Sequence, residues 1–304
     1  MPNIWTHILF CEDVADAVTQ TYPFSNYEAY MKLGAQGPDP FFYYNFWLGM
    51  KKEHIQNIGN ALHTRHCGDF LIDLLMEAGK MNAKAKAYVF GFVTHHILDR
   101  NTHPYIHYRA GYEENKHQKL EVLIDTIMME KYHNLKTWKA PVYKEIDVGM
   151  SLDRNISLLL YNTIEKHFPE LNRHSSSYIH KSYRHMKLAL KVLSDPHGWK
   201  NTILKSFISP FSHQPIKENT DYLNLNQKTW YHPATKKPSN QSFLDLYRQA
   251  RMEGIDILTL VYDYWKTNDF KYVTLLTEKI GNISYDTGEP LHLELENRYC
   301  EPIV

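Results

Sequence analysis

Cysteine is scarce in this chain, with three in 304 residues, at Cys11, Cys67 and Cys300. Their number is odd, they lie far apart and no CxxC occurs, so neither a disulfide framework nor a thiolate zinc site is indicated. We read them as reduced core residues, which suits a cytoplasmic protein. An excess of one charge is also missing. Lys plus Arg and Asp plus Glu each total 34, and no block of like charge stands out, so a general basic field for nucleic acid is not supported. No run approaches the roughly 20 apolar residues that a membrane-spanning helix needs. The opening MPNIWTHILFCEDVADA has no positively charged start, and Glu12 and Asp13 interrupt its apolar run. It does not read as a secretory leader, so the expected location is the cytoplasm, with peripheral contact with a membrane left open. A phosphate-binding glycine loop, a GxSxG elbow and an internal repeat are absent too.

What the chain has instead is histidine, 18 in all. Three features converge on Gly91–Tyr108, GFVTHHILDRNTHPYIHY. An apolar helical run places His95, Asp99 and His103 four residues apart, and on a helix such positions drift by only about 40° per step. The outer two would be about 12 Å apart along the axis. Zn–N bonds are about 2 Å, so one ion does not take both histidines, and the spacing suggests two ions with the central carboxylate open to either. A buried carboxylate needs a partner, and a metal is a natural one. Pro104 disfavours helix at His103, so the helix is expected to run from Ala83 to about Thr102 and to fray there. His96 is turned by about 100° from His95 and reads as structural. His107, past the proline, is a weaker candidate than His103.

Other candidates surround this stretch. Ile4–Thr19 has a helical apolar period, with His7 beside the stripe. Gly34–Pro40, GAQGPDP, is a turn in which Asp39 is clamped between Pro38 and Pro40, which restricts the direction of its carboxylate. Asp39 reads equally as a ligand or as a helix cap before the aromatic run Phe41–Trp47. From Phe42 to Gly79 the apolar residues recur at three and four, which places His63 toward the core and His66 toward solvent. His117 and Glu121 share a face of a helix that starts at His117, a pairing common on solvated helices and weak by itself.

The second half reads as helices over 148–167, 174–195, 198–208, 241–266 and 269–280. Residues 216–241 form a long loop whose length leans functional, and NISYDTG (282–288) a turn with some strand propensity. The eight histidines after residue 135 show no comparable spacing and read as ordinary. We expect a single helical domain over 1–304, with a metal-ligand half (1–135) and a helical completion with its long loop (136–304).

Five histidines and three carboxylates on successive helical faces, without thiolate, favour zinc or another first-row ion. The segments WTHILF, GPDPFFY, NALH, GFVTHHILDRNTHPYI and the HxxxE at His117 resemble, in the same order, the zinc-dependent phospholipase C family, which is related in fold to the fungal single-strand nucleases. The long HxxxDxxxHPY segment is the specific part; DYLNLNQKTWYHP and NISYDTG extend the likeness. The resemblance implies an all-α, multi-helix bundle around a cluster of two or three Zn2+ ions. It implies one ion on Asp39, His63, His95 and Asp99, a second on His103, His117 and Glu121, and a third shared by His7, a bridging Asp99 and the N-terminus. Relatives bind through a processed terminal Trp, whereas here loss of Met1 would leave Pro2, five residues before His7. The implied activity is hydrolysis of a phosphodiester, a phospholipid headgroup or a nucleotide, by a metal-activated water with Asp39 as base. Phe41, Phe42, Tyr43 and Tyr44 would line the cleft or, more simply, fill the core. A nuclease on the same fold and a non-catalytic, zinc-stabilised helical binding protein are the competing readings.

Overall fold

The computed structural model describes residues 3–18, 24–47, 50, 54–113, 115–172, 175–196 and 211–304. Its axis is the helix Ala83–Ala110, α5 in a series that also comprises α1 (Ile4–Val18), α2 (Glu28–Gly34), α3 (Ile55–Thr64), α4 (Cys67–Gly79), α6 (Lys116–His133), α7 (Arg154–His167), α8 (Ser177–Leu193), α9 (Phe243–Thr267) and α10 (Phe270–Ile280). Asn82 caps α5 by accepting from Ala85 N at 3.1 Å. Phe90, Phe92, Val93, Ile97, Leu98 and Tyr105 on several of its sides are all buried, as expected of a helix enclosed by neighbours. Those neighbours are α1, α2, α4, α6 and α9. One continuous core draws on residues from Ile4 to Ile280. The protein is thus all-α, and no helix among the described residues is long and apolar enough to cross a membrane.

The break expected at His103 does not occur. Helix α5 continues through Pro104 to Ala110. Proline removes the N–H that would bond the carbonyl of Arg100, and Gly288, at φ 64°, stands over that carbonyl. A Cβ at this glycine would lie 2.2 Å from Arg100 O and 3.5 Å from Pro104 Cγ. The turn around residue 288 therefore covers the gap, and His103 keeps helical geometry.

Further boundaries differ from the sequence pattern. The stretch 42–79 splits into α3 and α4 at Arg65–His66, where His66 takes φ 51°. Helix α7 starts at Arg154, capped by the Asp153 carboxylate accepting from Asn155 N. The region 216–241 carries a small antiparallel pair, β1 (Trp230–Tyr231) with β2 (Pro238–Ser239). The helix expected over 198–208 lies outside the described residues. Cys11 and Cys67 are buried, but Cys300 is exposed on the C-terminal segment, where the chain runs across the end of α5 through Glu301 N to Tyr108 O and Ile303 N to Arg109 O.

Two buried ionic arrangements hold the first helices. Lys32 Nζ meets Glu12 at 2.9 Å, Glu28 at 2.6 Å and Glu145 at 2.8 Å. Burial opposes its charge, but the three carboxylates outweigh that and hold its pKa above the ordinary lysine value. Asp125 on α6 accepts from Trp5 N (3.0 Å), Thr6 N (2.9 Å) and Thr6 Oγ1 (2.5 Å). It thereby satisfies the N–H of Trp5 and gives that of Thr6 a second acceptor beside Asn3 O, at the first turn of α1, where a carboxylate also suits the helix dipole.

Candidate metal centre

Four elements deliver side chains to one buried point. His7 comes from α1, His63 from the last turn of α3, and His95, Asp99 and His103 from α5. Asp39 comes from the turn after α2, where it opens a 3-10 segment, Asp39–Tyr43. Pro38 takes the cap position and Asp39 the first position of that segment. Gly37, at φ 49°, makes the turn fit, since a Cβ there would stand 2.4 Å from His95 Cδ2.

Asp99 is the hub. Its Oδ2 lies 3.0 Å from His95 Nε2 and 3.9 Å from His63 Nε2, while Oδ1 lies 3.3 Å from His7 Nε2 and 3.5 Å from His103 Nε2. Asp39 Oδ1 is 3.6 Å from both His63 Nε2 and His95 Nε2. Two inner triads result, His7–His95–Asp99 and Asp39–His63–His95. The outer pole holds a third, His103–His117–Glu121, with His117 Nε2 2.7 Å from Glu121 Oε1. All eight side chains singled out by spacing and resemblance therefore fall in these triads. The Pro2 terminus suggested for the third ion lies outside the described residues.

The hydrogen bonds are divided in a telling way. His63 donates from Nδ1 to Gly59 O (2.7 Å), His95 to Ala35 O (3.0 Å) and His103 to Tyr285 O (2.9 Å), with the proton on Nδ1 in each case. The Nε2 atoms of the same three rings have no hydrogen-bond partner, and neither do Asp39 Oδ1, both oxygens of Asp99, or either nitrogen of His7. A backbone carbonyl on one nitrogen fixes the tautomer and aims the other lone pair, the usual support of a metal-bound imidazole. Leaving so many buried polar atoms unpaired costs about 1–3 kcal/mol each unless something else binds them.

The electrostatics agree. Burial pushes His7 down to about 3 and lowers His63. It also holds His103 and His117 well below the ordinary value. Neutral imidazoles are the form that donates to a cation. Burial pushes Asp39 up to about 7. At Asp99 burial also pushes upward, but the surrounding imidazoles outweigh it and keep the carboxyl well below its usual range. His95 alone is raised, because Asp99 and Asp39 outweigh its burial. Every ion-pair partner of these two carboxylates among the described residues is a histidine. A nitrogen and oxygen donor set with surplus negative charge and no lysine or arginine fits divalent zinc.

Two histidines that the spacing set aside are placed as expected. His96 turns away and its Nε2 meets Ile283 O at 3.0 Å, while His66 is exposed. Phe41 and Tyr44 are buried, and Phe42 and Tyr43 are half-buried. Sequence reasoning missed one carboxylate beside the cluster, Asp286, which groups with His103 and His107. It sits in the turn NISYDTG, where no helical spacing links it to a histidine.

Comparison with known proteins agrees with this geometry. The family model described as zinc-dependent phospholipase C matches residues 6–195. No curated protein and no solved structure matches the chain.

Proposed function

The chain belongs to the zinc-dependent phospholipase C family, and from that premise we propose that it is a zinc-dependent phosphodiester hydrolase acting on phospholipid headgroups. The observation that carries the reading is the set of aimed, unpartnered Nε2 atoms around Asp39 and Asp99. Asp39, His63, His95 and Asp99 would hold one ion, His103, His117 and Glu121 a second, and His7 with Asp99 a third. Bound zinc supplies Lewis acidity that neutralises phosphate oxygens and brings the pKa of water toward about 7.

The residues of this chain do the rest. Asp39 points its free Oδ1 between His63 and His95, where it orients the attacking water and takes its proton. The phosphorus–oxygen bond to the glycerol oxygen then breaks in line with the attack and that oxygen takes up a proton from water, giving a diacylglycerol and a phosphorylated headgroup.

The test is zinc analysis of the purified protein beside hydrolysis of phosphatidylcholine and single-stranded DNA. His95→Ala and Asp99→Ala are expected to lose both zinc and activity; full activity in either would reject the proposal. Faster turnover of DNA than of phosphatidylcholine would move the assignment to a nuclease. The depth of the cluster, with His7, His95 and Asp99 at 0–1% exposure, favours one other reading, a zinc-stabilised binding protein. That reading gains if inorganic phosphate fails to perturb the bound metal.

A further inference from the structure

The outer pole carries more donors than the resemblance assigns to it. Beside His103–His117–Glu121 stands a second triad, His103–His107–Asp286. Asp286 Oδ1 lies 3.6 Å from His103 Nδ1 and 4.0 Å from His107 Nε2. The rings of His107 and His117 are 4.7 Å apart between centroids, and those of His103 and His107 5.5 Å. Both nitrogens of His107 are buried without a hydrogen-bond partner, and so is Nε2 of His103, whose residue is 1% exposed.

The two triads share His103. His103 Nδ1 donates to Tyr285 O, so only Nε2 remains, and one nitrogen lone pair binds one cation. We infer that His107 and Asp286 join His103, His117 and Glu121 in holding the outer ion, in a shell of three imidazoles and two carboxylates. Such a set exceeds the four ligands of a structural zinc and suits an ion that tolerates five-coordination. This inference rests on the proposed function for the presence of zinc, and deepens it at one pole.

The turn that brings Asp286 lies beyond the matched residues 6–195 and is built into the centre. Tyr285 N donates to His63 O at 3.0 Å, while Tyr285 O accepts from His103, so one residue spans the inner and outer poles. Ser284 Oγ accepts from Asp286 N, and Asn297 Nδ2 donates to Asp286 O. The last two bonds use the backbone of Asp286, which leaves its carboxylate to face the histidines.

The experiment is competitive zinc titration of the full chain against a chromophoric chelator, with metal counted by mass spectrometry. His117→Ala identifies the outer ion as the one it loses. Asp286→Asn keeps the shape and the backbone bonds, and is expected to weaken that same ion at least tenfold while the inner sites load as in wild type. His107→Gln is expected to do likewise. With cobalt(II) in place of zinc, Asp286→Asn should also change the visible absorption of the outer ion. Unchanged affinity and unchanged cobalt absorption in both variants would overturn this inference alone. A wild-type chain that takes up no zinc would overturn the proposed function together with it.

Discussion

Asp99 and Asp125 are both 0% exposed, and their surroundings differ in kind. Asp125 receives two backbone N–H groups and a hydroxyl, and so finishes the start of α1. Asp99 receives no hydrogen bond on either oxygen, although four imidazoles stand around it. A buried carboxylate whose work is structural is surrounded by donors. One whose work is to bind a cation is surrounded by other lone pairs, and its desolvation is offset only when the cation arrives. The same division separates the Lys32 cluster, where three carboxylates share an ammonium, from Asp39, whose ion-pair partners are His63 and His95.

The contrast is sharpest if each aspartate is removed in turn. Asp99→Ala should empty the inner pole of zinc, and in chelator it should lose less stability than Asp125→Ala, since neither of its oxygens accepts a hydrogen bond and only its attraction to the surrounding imidazoles is lost. Wild type should gain about 4 kcal/mol on adding zinc to a thousandfold over its dissociation constant, and this variant almost none. Asp125→Ala should do the reverse. It keeps zinc and loses about 3 kcal/mol in chelator, because Trp5 N and Thr6 Oγ1 lose their partner and Thr6 N keeps only Asn3 O. Denaturant melts with and without zinc read both numbers, and equal behaviour of the two variants would dissolve the distinction. Gly37→Ala tests the inner pole from its backbone. A Cβ 2.4 Å from the His95 ring at φ 49° should cost about 2 kcal/mol and weaken zinc binding, as the imidazole is pushed off its aim.

How much of this was legible depends on where each residue's partner lies along the chain. His95, Asp99 and His103 announce themselves because four-residue spacing is a helical face, and so do His117 and Glu121. The individual helices follow from the same periodicity, and the all-α class from the resemblance. Asp39 carries a structural explanation of equal weight, His7 and His63 are single histidines on separate helices, and only the resemblance joins the three. The continuation of α5 past Pro104 was illegible, because its reason is Gly288, far away in sequence. Asp286 was illegible for a related reason. It reaches the outer pole by way of Tyr285 bonding to His63 and His103, contacts that leave no periodic mark. The contacts of His213, one of the histidines read as ordinary, were hidden as well.

That histidine gives the smallest and most selective test of the comparison, because it belongs to the Asp125 side. His213 Nδ1 is hydrogen-bonded with Thr126 Oγ1 at 3.1 Å, its Nε2 lies 3.8 Å from Asp125 Oδ2, and burial pushes its pKa down to about 4. In the unfolded chain the value is about 6.5. Between these values the unfolded state holds a proton that the folded state does not, so stability is complete above about pH 6.5 and is lost as the pH falls toward 4. At pH 5.5 the loss from this one group is about 1.4 kcal/mol. Denaturant unfolding at pH 7.5 and 5.5 in chelator should therefore show wild type losing about that much more than His213→Gln. His7, buried and pushed down to about 3, adds acid sensitivity of the same sign to both proteins and cancels in the difference. Zinc will change the slope of both by competing with protons at the metal pole, but it should leave the difference between them untouched. A difference that vanishes when zinc is added would tie His213 to the metal pole and break the separation between the two aspartates.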